Sequence, residues 1–205
     1  MKIYESRNTP NCRRVTIFLA EKGITDIEFE QLDLQRGDNL SDEFKARNPF
    51  KGVPVLELDD GSHLSESVAI CRYFEELQPE PPLFGSGARQ RAEIEMWNRR
   101  VELGFFLPVA YVFRHGTGFF KDRETVVPAW AEANRPAIAA GYRLLNRQLA
   151  EQAWLCGEQM SIADITAYCA VEFAGGTGSR IPEDCEHVTR WFRQMRQRPS
   201  VKPKQ

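Results

Sequence analysis

The spacing of apolar residues divides the chain into an alternating first part and a helical second part. Four short segments predict strands, at residues 2–6, 27–34, 53–58 and 62–65, and the last two are joined by a hairpin turn at Asp60-Gly61. Three segments with helical spacing or helix-start signals predict helices, at residues 11–22, from residue 41, and at 66–77. The predicted order is β-α-β-α-β-β-α, which describes a small mixed sheet covered by helices.

Beyond residue 87 no segment has the pattern of a strand, and apolar residues recur at helical spacing. These residues are Ile94, Trp97, Val101 and Phe105; Ile138, Tyr142, Leu145 and Leu149; and Val188, Trp191, Phe192 and Met195. Ser161 and Asp164 have the spacing of a capping box, which marks a helix start. Residues 78–87 carry three prolines and two glycines and are predicted as a linker. We therefore predict a mixed-sheet domain at 1–77 and an all-helical domain at 88–205.

Composition narrows the class of protein further. The 205 residues are 42% hydrophobic, which is enough for a substantial core. With 27 basic and 29 acidic residues the net charge is −2, so we expect no nucleic-acid partner. The sequence has no signal-peptide pattern and no apolar run of about 20 residues. We expect a cytoplasmic protein that does not bind a membrane.

The five cysteines are scattered and contain no CxxC pair, which favours reduced thiols over disulfides or structural zinc. The three histidines lie far apart and lack a ligand pattern such as HExxH. We therefore expect no metal.

Four motifs resemble those of the soluble glutathione transferases, and they span nearly the whole chain in the family's order. They are Thr9-Pro-Asn-Cys-Arg-Arg-Val15, Arg47-Asn-Pro-Phe-Lys-Gly-Val-Pro54, Ser65-Glu-Ser-Val-Ala-Ile70 and the capping box Ser161–Asp164. Met96-Trp-Asn-Arg-Arg-Val-Glu102 is similar to fungal and bacterial members, which have N-terminal motifs like those of the theta and phi classes. The resemblance implies a thioredoxin-like domain followed by a helical bundle, in a homodimer. It also implies conjugation of the thiolate of glutathione, the co-substrate, to small hydrophobic electrophiles.

Two other functions stay open. A glutathione-dependent thiol–disulfide reductase would use Cys12, which occupies the second position of a CxxC-like turn. A non-catalytic transferase-like binding module would result if the glutathione site had decayed. The absence of the usual histidine or lysine at residues 39–41 keeps this module in view.

Five residues are candidates for binding glutathione, four of them in the motifs that carry the resemblance and Lys51 as a replacement for a part of the family's pattern that is missing. Val53 would pair its main chain with the cysteinyl unit, and the following Pro54 would be cis. Ser67 would bind the γ-glutamyl carboxylate at a helix start, and Glu66 would face the ammonium group of the ligand. Lys51 would replace the missing cation for the glycyl carboxylate. In isolation Ser67 could simply cap its helix, and Lys51 could be a solvated surface residue.

Thiol activation has two candidate sources. Thr9 occupies the nucleophile's position of the CxxC-like turn, and its hydroxyl could donate a hydrogen bond to the thiolate, although threonine is also a common helix cap. Pro108 is expected to bend a helix so that Tyr111, Arg114 or His115 binds the thiolate or orients a water. Phenylalanines at 105, 113, 119 and 120 would line an apolar acceptor pocket. We expect Cys12 to be a structural thiol.

Overall fold

The first compact unit, Met1–Pro82, is built on a four-stranded mixed sheet in a computed structural model that describes residues 1–202. The strands are β1 (Lys2–Glu5), β2 (Glu28–Gln31), β3 (Val55–Glu57) and β4 (His63–Ser65). Their order in the sheet is β2-β1-β3-β4; β1 is parallel to β2 and antiparallel to β3, and β3 is antiparallel to β4. The helices are α1 (Pro10–Glu21), α2 (Asp42–Arg47) and α3 (Ser67–Leu77).

The predicted order β-α-β-α-β-β-α is confirmed, and so is the fold class of a thioredoxin-like domain followed by helices. The observed strands are shorter than predicted, most clearly β2, which spans Glu28–Gln31 inside the predicted 27–34. This strand lies at the edge of the sheet and is mostly exposed. A short 3-10 turn, Asp38–Leu40, precedes α2, and the Ser41 hydroxyl caps α2 by accepting from the Phe44 amide at 3.2 Å.

The second compact unit begins at Leu83, and every one of its regular elements of three or more residues is helical within the described residues. The helices are α4 (Gly87–Val101), α5 (Leu107–Thr117), α6 (Pro128–Glu151), α7 (Ile162–Gly176) and α8 (Glu186–Gln197). Residues 203–205 of the predicted second domain lie outside the described residues. Leu83 and Phe84, which the prediction placed in the linker, belong to this unit and are buried.

Two features of the second unit have identifiable local causes. The predicted capping box starts α7: the Ser161 amide donates to Asp164 at 3.0 Å, and the Ser161 side chain accepts from the amide of residue 164. A π-helical segment, Glu102–Phe106, joins α4 to α5, and Pro108 follows at the second position of α5. The bend predicted at Pro108 thus lies beside a π segment. No helix within residues 1–202 is long and apolar enough to cross a membrane.

Candidate functional site

The strand register brings three of the motif segments to one end of the sheet. Val55, the first residue of β3, pairs with Tyr4 near the end of β1 and with Ser65 at the end of β4. The segment leading to Thr9 therefore leaves the sheet beside the segment that enters it from Val53, and beside the segment that leaves it toward Glu66. These connections are close in space although they are far apart in sequence.

Thr9 immediately precedes α1 and is half-buried. Its amide and its hydroxyl both donate to the Ser6 carbonyl, each at 2.8 Å, and its side chain makes no capping bond to the helix. Pro10 occupies the first helical position, where its missing N–H costs no helical bond. The Thr9 hydroxyl is thus held at the helix start without being used as a cap.

Cys12 lies behind Thr9 and is fully buried. Its Sγ accepts from the Ser6 amide at 3.4 Å. Burial raises the pKa of the Cys12 thiol to about 12, although the nearby Thr9 side chain and the Ser6 amide act in the opposite direction. A buried thiol with this pKa is protonated at neutral pH, which is the state of a structural cysteine and not of a nucleophile.

A tight turn before β3 is held by two buried asparagines. The Asn48 amide nitrogen donates to the Gly52 carbonyl at 2.9 Å, and its oxygen accepts from the Phe50 amide at 3.1 Å. Asn39 donates to the Lys51 carbonyl at 2.8 Å. Lys51 itself is exposed and has a positive φ of 60°, which is uncommon for a residue with a side chain. Asn39, one of the three residues 39–41 where the resemblance implied a cation that this chain lacks, therefore supports the backbone of the lysine predicted to replace that cation.

The turn ends at a cis peptide bond between Val53 and Pro54, as the resemblance implied. Val53 is half-buried and precedes β3, so it lies outside the ladders that pair β3 with β1 and β4. Pro54 has no N–H, so the backbone N–H available to a ligand at this point belongs to Val53.

The start of α3 combines a strained residue with a buried hydroxyl. Glu66 is exposed and has φ 70° and ψ 112°, a conformation that residues with a side chain rarely adopt. Ser67 is only 6% exposed and is the first helical residue. The side chain of Glu66 does not cap α3, so the first amides of the helix are available to an anion.

A residue that the sequence analysis did not select lies under this helix start. Arg14 of α1 is 1% exposed, and its Nη1 donates to Ser67 Oγ at 2.5 Å and to Asn11 Oδ1 at 3.1 Å. The available signal was its helical position, since Ile17 and Phe18, three and four residues further on, are completely buried. Arg14 thus shares the inner face of α1.

The three candidates of the second unit lie on α5 and differ in how their polar groups are engaged. Arg114 forms an ion pair with Glu124. His115 accepts a hydrogen bond at Nδ1 from the Val127 amide at 3.3 Å, so a neutral His115 carries its proton on Nε2. The Tyr111 ring lies 6.3 Å from the His115 ring, between centroids. His115 is therefore arranged as an Nε2–H donor, whereas the charge of Arg114 already has a partner.

The predicted phenylalanine lining requires one correction. Phe105 is 1% exposed and packs edge-on against Tyr142, with ring centroids 4.8 Å apart, so it belongs to the core. Phe113 contacts both Phe119 and Phe120 in a separate cluster. Within residues 1–202 there is no group of three or more histidine, cysteine, aspartate or glutamate side chains that could hold a metal ion.

The chain belongs to the glutathione S-transferase family. Residues 3–82 match the model of the glutathione S-transferase N-terminal domain, and residues 116–199 match that of the C-terminal domain. Glutathione S-transferase 2 of Saccharomyces cerevisiae is 34% identical over 210 residues, which cover 98% of this chain and 88% of that protein. The resemblance stated from the motifs is thereby confirmed.

Solved structures give the same result. A glutathione S-transferase domain-containing protein from Marinobacter aquaeolei VT8 superposes with a TM-score of 0.95 at 37% identity, covering 98% of this chain and all of the other. Gtt2 from S. cerevisiae gives 0.94 at 34% identity, covering 98% of each chain. A probable elongation factor 1-gamma 2 of Arabidopsis thaliana is 32% identical over 84% of this chain, but the chain spans only 41% of that relative.

Proposed function

We propose that this protein is a glutathione transferase that adds the glutathione thiolate to small hydrophobic electrophiles. The observation that carries the proposal is the meeting of the Thr9, Val53 and Glu66 segments at one end of the sheet. A peptide with two carboxylates and one ammonium needs complementary groups at such a place, and these segments supply a helix start, main chain at Val53 that lies outside the sheet ladders, and a carboxylate.

Each part of glutathione has a proposed partner. Ser67 and the first amides of α3 bind the γ-glutamyl carboxylate, and Glu66 faces the ammonium group. The main chain of Val53, held by the turn that ends at Pro54, pairs with the cysteinyl unit. Lys51, exposed on the same turn, binds the glycyl carboxylate.

Thr9 is the proposed donor to the thiolate. Lowering the pKa of a thiol by about two units requires roughly 2.7 kcal/mol of preference for the charged form. One charge-assisted hydrogen bond of about 1.5–3 kcal/mol, together with the dipole of α1, is of this size. The Thr9 hydroxyl must turn away from the Ser6 carbonyl to donate to sulfur. The competing donors are Tyr111, Arg114 and His115.

Thiolate absorbance against pH, measured on the glutathione complexes, separates these donors. If Thr9 dominates, Thr9→Ala raises the pKa of the bound thiol by about one unit or more, and Thr9→Ser has a small effect. His115→Ala would then leave this pKa nearly unchanged. A flat result for Thr9→Ala, with a large rise for His115→Ala or Tyr111→Phe, would assign activation to the second unit.

The function as a whole is tested by calorimetric titration with glutathione and by a conjugation assay with an activated aryl halide. We expect Ser67→Ala to weaken glutathione binding by about 1–3 kcal/mol. Cys12→Ser should conjugate within a few fold of the wild type. Loss of activity in Cys12→Ser, with a mixed disulfide at Cys12 in the wild type, would establish the reductase instead. Failure of the wild type to bind glutathione would favour the non-catalytic module.

We also propose a homodimer. Phe50, in the turn held by Asn48, is 84% exposed, which is unusual for so large an apolar side chain in water. Sedimentation velocity should give a dimer for the wild type and a smaller species for Phe50→Ser. None of the five cysteines forms a disulfide bond within residues 1–202, and this supports the proposed reducing, cytoplasmic location.

A further inference from the structure

Arg14 is a buried cation placed at the start of α3. Arginine is almost never fully buried unless it is paired, because removing its charge from water is costly. Here the guanidinium, 1% exposed, reaches from α1 to the Ser67 hydroxyl at 2.5 Å. The neighbouring Arg13 is only half-buried. The position of Arg14, and not merely the presence of an arginine on α1, therefore needs an explanation.

The chemistry of the two groups fixes the direction of this hydrogen bond. A guanidinium has donors and no acceptor, so Ser67 Oγ must accept from Arg14. The single hydroxyl proton of Ser67 then has to point elsewhere, and no hydrogen bond from it to another group is present among residues 1–202. Donation by a charged group also polarises the hydroxyl and strengthens it as a donor. Ser67 thus has a proton directed away from Arg14.

The surrounding charges define what that proton can meet. The first amides of α3 are not capped by the Glu66 side chain, and the helix dipole adds positive potential there. Arg14 contributes a positive charge beneath Ser67, whereas Glu66 contributes an exposed negative charge beside it. A positive charge bonded to Ser67 from α1 and a negative charge on the residue before Ser67 match the carboxylate and ammonium of an α-amino acid group.

We infer that Arg14 is a positioning residue that makes Ser67 an obligate donor to the α-carboxylate of the γ-glutamyl group. The inference rests on the proposed function, since it concerns the same ligand. It adds a source of selectivity: the site should require the carboxylate through Arg14 and Ser67 acting as one unit, and the ammonium through Glu66 separately.

Three ligands test this division. Glutathione carries both groups, its glutaryl analogue lacks the ammonium, and its 4-aminobutanoyl analogue lacks the α-carboxylate. Calorimetry on Arg14→Met should show affinities for glutathione and the glutaryl analogue lowered about 10- to 100-fold. The affinity for the 4-aminobutanoyl analogue should stay within about twofold of the wild type, because no hydrogen bond to that ligand depends on Arg14.

Matched variants separate positioning from a general structural role. Arg13→Met removes a charge from the same helix and should bind all three ligands like the wild type. In the Ser67→Ala background, Arg14→Met should cost less than about threefold, because coupled residues are not additive. Arg14→Lys keeps a charged donor and should recover part of the lost affinity for glutathione.

Each contrary result has a distinct meaning. An equal loss for all three ligands in Arg14→Met, or full additivity with Ser67→Ala, overturns the role of Arg14 but leaves the proposed function intact. If Arg14→Met does not fold, Arg14→Lys decides the matter, and it must lose affinity only for the two carboxylate ligands. Absence of binding of glutathione by the wild type would instead refute the proposed function itself.

Discussion

Because the backbone of Glu66 is strained, we expect that a substitution there can raise the stability of the protein while it weakens glutathione binding. Its φ of 70° and ψ of 112° are sterically costly for any residue with a Cβ atom. Replacing Glu66 by glycine should relieve this strain, whereas replacing it by alanine should retain it. Both substitutions remove the same carboxylate. The difference in the free energy of unfolding between Glu66→Gly and Glu66→Ala therefore isolates the contribution of backbone strain.

The size of this difference follows from two opposing effects. Strain of this kind costs about 1–3 kcal/mol, and glycine loses roughly 0.5–1 kcal/mol through the greater freedom of its unfolded chain. Glycine is also a better residue than alanine at a helix N-cap, which acts in the same direction as the strain relief. We expect Glu66→Gly to be more stable than Glu66→Ala by about 1–2 kcal/mol.

Glutathione binding should weaken in both variants. Both variants lose the carboxylate proposed to face the ligand's ammonium, which corresponds to about 1–3 kcal/mol, or roughly 5- to 150-fold in the dissociation constant. Glu66→Gln keeps the strain and a hydrogen-bonding oxygen but removes the charge. Its affinity should lie between those of the wild type and Glu66→Ala.

Urea unfolding without ligand and calorimetric titration with glutathione measure the two effects separately. Ala69→Gly is the control, because this exposed residue lies inside α3 in ordinary helical conformation, and glycine there should destabilise by about 1 kcal/mol. If Glu66→Gly is no more stable than Glu66→Ala, the strain argument is wrong. If Glu66→Gln binds like the wild type, the site does not use the charge of Glu66.

Three further predictions concern other parts of the chain. Because burial raises the pKa of Cys12 to about 12, iodoacetamide at pH 8 should modify this thiol only after unfolding, as peptide mass spectrometry would detect. The Tyr4 hydroxyl donates to Glu57 at 2.5 Å and is the largest cause of the lowered pKa of Glu57. That stabilisation is present above the unfolded-state pKa of about 4.3 and is lost as the pH falls through the lowered pKa of the folded state. In urea unfolding, the wild type should therefore exceed Tyr4→Phe in stability by less as the pH falls from about 5 to 3. Asp164→Ala should lower the free energy of unfolding by about 3–5 kcal/mol, because the amides of Ser161 and Leu155 and the Trp191 indole lose their acceptor. A loss below about 1 kcal/mol would show that these hydrogen bonds do not stabilise the fold.

The pattern of apolar and polar residues was sufficient to predict the helices and strands. The register of the strands was needed to bring the residues of the candidate site together. The helix predicted at 66–77 has Ile70, Phe74 and Leu77 at helical spacing, which is typical of a helix with one apolar face. Ile70 and Phe74 are buried as that spacing predicts, whereas Leu77, the last residue of α3, is 58% exposed. The pairing of Val55 with Tyr4 and Ser65, which brings the motif segments together, depends on contacts between distant residues. Only the resemblance to a family could suggest that meeting before the fold was available.

Arg14 illustrates a different limit. Its charge suggests the surface, and two adjacent arginines are usually interpreted as a solvated or nucleic-acid-binding pair. Burial of Arg14 depends on an acceptor supplied by α3, which lies more than fifty residues away in the sequence. Whether a charged side chain is buried depends on the group that pairs with it. When that group is distant in sequence, the residues around the charge carry no pattern that would reveal the pairing.

The proline-rich segment at the end of the first unit shows the converse case, in which the local sequence indicates that a partner from elsewhere in the chain is needed. Its prolines predicted irregular structure, and they also create a need, because they leave carbonyl groups without the backbone donors that a regular element would provide. Lys22 meets this need: its buried Nζ donates to the carbonyls of Gln78, Pro79 and Pro81 at 2.8, 3.1 and 2.5 Å. The same ammonium pairs with Glu75 of α3 at 2.5 Å. A proline-rich segment that follows a packed helix can therefore be held in one conformation by a single buried lysine, since the ammonium group offers three donors to acceptors that the prolines themselves leave open.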